Sequence, residues 1–187
     1  MSVVVQSPRD AVEAGIALLT EDRQKTGLAL RLPIADNITL ANVNGISHLG
    51  VLDLAAETQV TSESISRLRI RATSGQQLAG RLSGGNQQKV VIAKWLFRNT
   101  KIFLFDEPTL GIDVGAKAEV FEVMDSLARS GAAVLMVSSE MPELLQVADR
   151  ILVMRQGRIS GELPKGTTQQ EIMRRATLAH HSEENSQ

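Results

Sequence analysis

Two carboxylates directly follow a short apolar segment in residues 102–109, whose sequence is IFLFDEPT. Four consecutive apolar residues predict a buried strand, so Asp106 and Glu107 stand at its carboxyl end. In open α/β sheets, ligands bind outside the carboxyl ends of the strands. Asp106 is suited to hold Mg²⁺ beside a phosphate, and Glu107 is suited to act as a general base or to position an attacking water. Taken alone, the pattern also fits any strand followed by an acidic turn.

A second segment, residues 82–89 with the sequence LSGGNQQK, has the composition of an anion site. Ser83 supplies a hydroxyl, and Gly84 and Gly85 let backbone N–H groups approach an anion without obstruction by side chains. The helix predicted to follow directs the positive end of its dipole at the same place. This arrangement suits a terminal phosphate. Taken alone, the pattern also fits an N-capped helix with a flexible glycine pair.

The two segments lie close together in the chain, with 16 residues between Gly85 and Ile102. The two patterns would rarely occur this close together by chance, so we expect them to serve one phosphate-handling function. The phosphate-loop motif GxxxxGK[ST] does not occur in the 187 residues.

The elements that must position these residues alternate between helices and strands. Ser7 and Pro8 predict the start of a short helix that stops near Gly15. The other predicted elements are strands at 16–20, 102–105 and 132–137, helices at 83–98, from Asp113 to Gly131 and from Pro142, and a hairpin that turns at 156–157. Residues 66–72 alternate polar and apolar and are expected to be partly extended. The alternation of strands and helices indicates an α/β domain with a mainly parallel sheet.

Composition changes along the chain predict four segments. Residues 1–27 are expected to belong to an α/β core, and residues 28–100 to form a mostly helical subdomain that carries LSGGN. Residues 101–178 are expected to complete the α/β core and to end in the hairpin. Residues 179–187 are polar and are expected to be disordered.

The bulk composition narrows the classes of function. A net charge of -1 gives no reason to expect nucleic-acid binding, and the absence of cysteine excludes disulfides and thiolate metal sites. The histidines are too few and too scattered for a metal cluster; they are His48, His180 and His181. No apolar run approaches the roughly 20 residues that span a bilayer, and the N-terminus does not follow the plan of a signal peptide. We expect a soluble, cytoplasmic chain that meets a membrane only through a partner.

Taken together, these residues resemble the ATP-binding subunits of ABC transporters, where LSGGQ is the signature and the acidic strand end is Walker B. The chain is most similar to the C-terminal nucleotide-binding half of monosaccharide importers of the ribose, galactose and arabinose type. The segments that carry this resemblance are TEDRQKTGL at 20–28, LSGGNQQKVVIAKWL at 82–96 with Asn86 in place of the usual glutamine, EPTLGIDVGAKAEVF at 107–121 and SSEMPELLQVADRILVMRQGRI at 138–159. The resemblance covers residues 7–175 and does not specify one sugar.

The resemblance implies a P-loop NTPase-like ABC ATPase fold with a helical signature subdomain, and it implies ATP and Mg²⁺ as cofactors. In the family, each ATP lies between the Walker motifs of one domain and the signature of a second nucleotide-binding domain. The residues expected at an ATP held mainly by the partner are Ser83, Gly84, Gly85 and Asn86. On the chain's own face, Asp106 is expected to bind the metal and Glu107 to be catalytic.

Three further positions gain roles from the resemblance alone. Asp113, in the D-loop, is expected to reach across the domain interface. Glu21 stands at the position of the Q-loop glutamine, which senses the nucleotide and contacts the membrane subunit. Ser139 stands where the switch histidine usually lies, so hydrolysis on this chain's own face is expected to be slow or degenerate. Leu110 replaces an arginine frequent in the subfamily, which we expect to affect an interface rather than the chemistry.

The partners implied by the resemblance are ATP, a second nucleotide-binding domain and the membrane permease subunits of a sugar importer. The implied location is the inner face of the cell membrane, through those permease subunits. No nucleic-acid partner is expected.

Two hypotheses about the chain as a whole remain open on the sequence. In the family, the phosphate loop and its strand precede the region matched by residues 1–15, so the chain is expected to begin after that loop and to lack the N-terminal strands of the sheet. The first hypothesis is a truncated part of a sugar-importer ATPase with little activity of its own. The second is a non-catalytic interaction module that donates the signature to a partner ATPase or regulates one.

Overall fold

The structure is a computed structural model that describes residues 4–177. The chain forms two compact units, Met1–Val137 and Ser138–Gln187. The predicted disordered tail at 179–187, with His180 and His181, lies outside the described residues. The predicted division into segments 1–27, 28–100 and 101–178 stays a prediction.

The first unit contains most of the helices and the larger sheet. Its elements are α1 (Pro8–Glu13), β1 (Ile16–Leu19), α2 (Ile34–Thr39), β2 (Ser47–His48), β3 (Val51–Leu52), α3 (Leu54–Arg67), α4 (Gly84–Phe97), β4 (Ile102–Asp106), α5 (Val114–Arg129) and β5 (Ala133–Val137). A π-helical turn spans Arg23–Gly27, and 3₁₀ helices span Leu40–Ile46 and Ala79–Arg81. The elements of the second unit are α6 (Met141–Val147), β6 (Arg150–Arg155), β7 (Arg158–Pro164) and α7 (Gln169–Thr177).

Strands β1, β4 and β5 form a parallel sheet with β4 in the middle. The register places Leu18, Leu104 and Leu135 side by side across the three strands. Each strand is a short apolar run, as expected for a parallel sheet. Because the strands are parallel, their carboxyl ends meet at one edge. The three strands predicted from apolar runs are confirmed.

The core of the first unit lies on one face of this sheet. The buried side chains on that face include Leu19, Phe103 and Phe105, which pack with residues of α4 and α5. Helix α4 is buried along most of its length, and α5 contributes Val120, Met124 and Leu127. Their spacing of four and three residues places them on one side of the helix. Helix α4 is therefore held between the sheet and its neighbours, with little freedom to shift.

Side-chain caps set the starts of several helices. The Ser7 hydroxyl accepts from the Asp10 N–H at 3.2 Å, with Pro8 as the first residue of α1. Asp113 caps α5, because its carboxylate accepts from the Ala116 N–H at 3.0 Å. Each cap satisfies an N–H group that the helix leaves without a partner. The predicted starts of α1 and α5 are thus confirmed at the level of individual hydrogen bonds.

Residues 66–72, predicted to be partly extended, contain no β-strand. Helix α3 continues to Arg67, and Arg69 then takes a left-handed conformation with φ of +50°. Leu68 and Ile70 are buried, while Arg69 between them is exposed. The alternation therefore comes from a loop that inserts two apolar side chains into the core, without the strand pairing that the pattern predicts.

The second unit is built on the antiparallel hairpin of β6 and β7. Gln156 and Gly157 form the turn with φ of +49° and +76°, the sign that tight hairpins with a right-handed twist require. Helix α7 packs on this hairpin through Ile172, which shares a core with Ile151 and Val153. The sequence did not predict α7.

Candidate functional site

The acidic strand end, Asp106 and Glu107, lies at the carboxyl edge of the parallel sheet. Asp106 is the last residue of β4 and pairs with Val137 of β5. The Glu107 N–H donates to the Val137 carbonyl at 3.0 Å, so the neighbouring strand fixes the backbone where the carboxylate emerges. Both carboxylates are half-buried. They stand at the edge where ligands bind in α/β sheets.

Glu107 has a strained backbone, with φ of +46°. This left-handed conformation costs a non-glycine residue about 1–3 kcal/mol and persists only where the surroundings enforce it. The enforcing contacts are the bond to Val137 and a turn in which the Leu110 N–H donates to the Glu107 carbonyl at 3.1 Å. Strained backbone at a residue with a carboxylate side chain, here at a strand end, is typical of a functional site.

The signature turn, residues 83–85, lies at the N-terminus of the 14-residue helix α4. Ser83 is exposed and is the residue before the first turn, and its carbonyl accepts the first helical bond from the Gln87 N–H at 2.9 Å. At a helix N-terminus, the N–H groups of the first turn point out of the helix, and an anion placed there can accept hydrogen bonds from them. A Cβ added at Gly85 would lie 2.6 Å from the Ala116 Cβ, so only glycine lets this turn pack on α5. The turn thus exposes Ser83, and Gly85 anchors it on α5.

The side chain of Asn86 supports Ser83 from within the protein. Its amide donates to the Ser83 hydroxyl oxygen at 2.8 Å, and its carbonyl oxygen accepts from the Arg71 N–H at 2.7 Å. Asn86 is buried. These contacts favour a role for Asn86 that acts through the orientation of Ser83. A direct contact between Asn86 and a nucleotide stays a prediction.

The remaining predicted site residues lie in three places. Glu21 is exposed and follows β1. Because β1 pairs in parallel with β4, which ends at Asp106, both residues lie at the same edge of the sheet. Asp113 lies between the acidic strand end and α5, and it also caps that helix. Ser139 is exposed and belongs to the second unit, where the neighbouring Ser138 hydroxyl donates to Glu143 at 3.1 Å.

The donor set at the acidic strand end fits Mg²⁺. This ion is usually bound in nucleotide sites by one or two carboxylates, with the remaining positions filled by water and phosphate oxygens. Asp106 provides one such carboxylate, half-buried at the strand end. The signature turn, with the exposed Ser83 hydroxyl at a helix N-terminus, fits a phosphate.

The sequence reasoning missed an ion pair that fixes the signature helix. The Lys89 ammonium, in a side chain that is only 2% exposed, donates to the Glu119 carboxylate at 2.7 Å and to the Arg69 carbonyl at 3.1 Å. This pairing lowers the pKa of Glu119, chiefly through the hydrogen bond from Lys89. It joins α4 to α5. The sequence gives no signal that Lys89 is buried, because its partner lies 30 residues away in the chain.

We expect Glu119→Gln to lower the free energy of unfolding by about 1–2 kcal/mol, since Lys89 loses its counter-ion and Glu119 is partly screened by water. The pKa of the Glu119 carboxyl is lower in the folded state than in the unfolded state, where it is near 4.5. The ion pair therefore contributes its full stability above the unfolded pKa, and this contribution is lost as the pH falls through the folded pKa. Urea unfolding between pH 7 and pH 3 should therefore show a weaker loss of stability on acidification in the variant. Glu122→Gln, which alters an exposed pair with Arg69, is the control. Equal pH profiles for Glu119→Gln and the wild type would contradict this.

Comparison with known proteins identifies the class of fold and then the family. The dimeric ATP-binding cassette MJ0796 bound to ADP and Pi superimposes with a TM-score of 0.69 at 18% identity, over 88% of this chain and 69% of that chain. The fold is therefore that of an ATP-binding cassette. The family model described as ABC transporter matches residues 4–110. The chain belongs to the ABC transporter family.

Two curated relatives illustrate the closer similarity. The putative ribose/galactose/methyl galactoside import ATP-binding protein 1 of Burkholderia ambifaria is 51% identical over 183 residues, which is 96% of this chain and 35% of that protein. The ribose import ATP-binding protein RbsA of Lactococcus lactis subsp. cremoris is 46% identical over 177 residues, 94% of this chain and 36% of that protein. The chain thus spans about a third of the length of these relatives. The family resemblance and the fold class predicted from the sequence are confirmed, and the individual site residues stay predictions.

Within residues 4–177, none of the helices combines the length and apolar character needed to cross a bilayer.

Proposed function

We propose that the chain is part of an ATP-binding subunit of an ABC-type monosaccharide importer and couples ATP binding and hydrolysis to sugar uptake. The observation that carries this proposal is the pairing of two sites in one compact unit. One is the strained acidic strand end, and the other is the anchored signature turn with its exposed Ser83. Similarity to sugar-import ATP-binding proteins over most of the chain supports the substrate class.

Each site has a distinct role in this proposal. At the acidic strand end, Asp106 would hold Mg²⁺, and the Glu107 carboxylate would orient the attacking water and accept its proton. Glu21 would sense that nucleotide from the same edge of the sheet, and Ser139 would stand at the position that the switch histidine takes in the family. When bound, ATP and Mg²⁺ supply the transferable phosphoryl group and part of its charge neutralisation.

The signature turn would act on a second ATP, one held mainly by a partner nucleotide-binding domain. The Ser83 hydroxyl and the N–H groups of Gly84 and Gly85 would donate to its terminal phosphate, with Asn86 holding Ser83 in place. Asp113 would reach across the same interface. The permease subunits of the importer would be the other partners, so the chain would work at the inner face of the cell membrane.

A chimera tests this proposal. In the chimera, this chain replaces the segment of Lactococcus lactis RbsA that it matches, and ATP hydrolysis is measured on the purified protein. We expect Ser83→Ala to lower turnover about 10-fold or more, because one preorganised donor to the reacting phosphate is lost. Ser62→Ala, at an exposed serine on α3, is the matched control.

Three outcomes are distinguished. A Ser83-dependent, hydrolytically active chimera supports the proposal. Equal turnover in the Ser83 and Ser62 variants would contradict the role of the signature turn. If the free chain stimulated a separate ATPase half through Ser83 while the chimera did not hydrolyse ATP, a non-catalytic module would replace the proposal.

A further inference from the structure

Arg23 is a buried cation within a segment that looks solvent-exposed in the sequence. It lies in the π-helical turn Arg23–Gly27, and only 9% of its surface is exposed. Its guanidinium donates to the carbonyl of Leu110 at 2.8 Å and to that of Gly111 at 3.4 Å. These carbonyls belong to residues 109–113, the D-loop that ends at Asp113. Arg23 therefore binds a loop 87 positions away in the chain.

The same guanidinium lies against the signature turn. A Cβ added at Gly84 would come within 2.5 Å of the Arg23 Nη2 and 3.0 Å of the Gly111 carbonyl oxygen. Both distances are shorter than ordinary van der Waals contact. The backbone of Gly84, the Arg23 guanidinium and the D-loop carbonyl are thus packed in one layer. A side chain at position 84 would clash with these groups, and it would also obstruct an approaching anion.

The turn that carries Arg23 is also fastened to the signature helix α4. The Gln24 amide donates to the Gln87 side chain at 3.1 Å, and the Lys94 ammonium donates to the Gly27 carbonyl at 2.6 Å. These two contacts lie at the first and last turns of α4. A shift of the backbone around Arg23 would therefore disturb contacts with both ends of α4.

Arg23 is held there at an energetic cost. Burial lowers its pKa, with the neighbouring Asp22 acting in the opposite direction, although the guanidinium remains charged. Its Nε is buried, and no hydrogen-bond partner for it occurs within residues 4–177. An apolar side chain would avoid the cost of burying a charge, but it would leave both carbonyls without this donor. The cost of burying Arg23 indicates that its geometry is needed at this position. The guanidinium bonds two carbonyls and lies against Gly84 at the same time.

We infer that Arg23 is a positioning residue that sets the spacing between the signature turn and the D-loop. This inference rests on the proposed function, in which Ser83 and Asp113 both serve the interface with a partner domain. A planar guanidinium can bind two successive carbonyls at once, whereas a lysine ammonium is a single point donor. Arg23 thus keeps the two motifs in one fixed relation.

The anchoring itself is tested by hydrogen exchange on the full chain. We expect Arg23→Ala to raise the exchange rates of the Leu110 and Ile112 amides about 10-fold, because these amides close the turns that Arg23 holds and charge-assisted hydrogen bonds are strong. Arg23→Lys should raise the same rates less. Exposed Arg31, replaced by alanine, is the control. Unchanged exchange at both amides in the alanine variant would overturn the inference; if that variant does not fold, the lysine variant decides.

The functional consequence is tested in the RbsA chimera by separating kcat from KM. We expect Arg23→Lys to lower kcat several-fold with the KM for ATP unchanged, since Arg23 positions groups that act on a nucleotide held elsewhere. A change in KM alone, or no change in either constant, would overturn the positioning role. If Ser83→Ala has no effect in the same chimera, the proposed function fails, whereas the exchange measurement still decides whether Arg23 anchors the D-loop.

Discussion

Glu107→Gln should remove hydrolysis at the site on this chain's own face, lowering its rate by about 10²–10⁴, the usual worth of a positioned general base. The substitution keeps the size of the side chain and removes its charge. Glu107 leaves β4 with a left-handed backbone held by Val137, so the amide should occupy the same place. We expect ATP binding to be retained and only turnover to be lost.

Single-turnover hydrolysis in the RbsA chimera gives the clearest measurement, because two ATP sites are expected to produce separable phases. Glu107→Gln should remove one phase, and Ser83→Ala should slow the other, since the signature turn acts on the partner's nucleotide. Glu63→Gln, on the exposed side of α3, controls for the loss of a carboxylate. Loss of the same phase in both variants would contradict the assignment of the two sites to different nucleotides.

A second variant separates strain from chemistry at this position. Glu107→Gly removes the carboxylate and also relieves the left-handed φ, so the free energy of unfolding should rise by about 1 kcal/mol while turnover is lost. Urea unfolding of the full chain measures the first effect. A destabilised glycine variant would show that the glutamate side chain, rather than its backbone conformation, holds this turn.

Leu19→Ala should destabilise the first unit by about 2–5 kcal/mol, the range for removing a large apolar side chain from a packed core. Leu19 is 1% exposed and contacts the core between the sheet and its helices, whereas the adjacent Leu18 is 53% exposed on the opposite face. The two leucines differ only in the face of β1 on which they lie. Leu18→Ala is therefore a matched control, and we expect it to cost less than about 1 kcal/mol.

Urea unfolding followed by the fluorescence of Trp95, which packs against the same core, reports on this unit. Equal losses for Leu18→Ala and Leu19→Ala would contradict the assignment of the inner and outer faces. A large loss at Leu18 alone would reverse it.

The sequence predicted best the features that depend on neighbouring residues. Apolar runs predicted β1, β4 and β5, and capping residues such as Ser7 and Asp113 marked where helices begin. The placement of Asp106 and Glu107 at a strand end followed from the same run. These features are local, so a single sequence contains them.

The features that were missed depend on contacts between distant segments. Arg23 stands in the charged run EDRQK, which is typical of a solvated loop, and its burial follows from carbonyls 87 positions away. The role of Asn86 depends on Arg71, and that of Lys89 on Glu119. In residues 66–72 the polar and apolar alternation was misleading, because burial of Leu68 and Ile70 needs no strand partner. Local pattern gives the elements, and long-range packing decides which polar residues they bury.

Ribose uptake by cells that carry the RbsA chimera in place of their own RbsA tests the central claim most directly. If this chain supplies a working signature turn and acidic strand end, the cells should accumulate ribose, and uptake should fall sharply with Ser83→Ala but not with Ser62→Ala. If the chimera reaches the membrane with its permease and the cells take up no ribose, or if uptake is indifferent to Ser83, the account is contradicted.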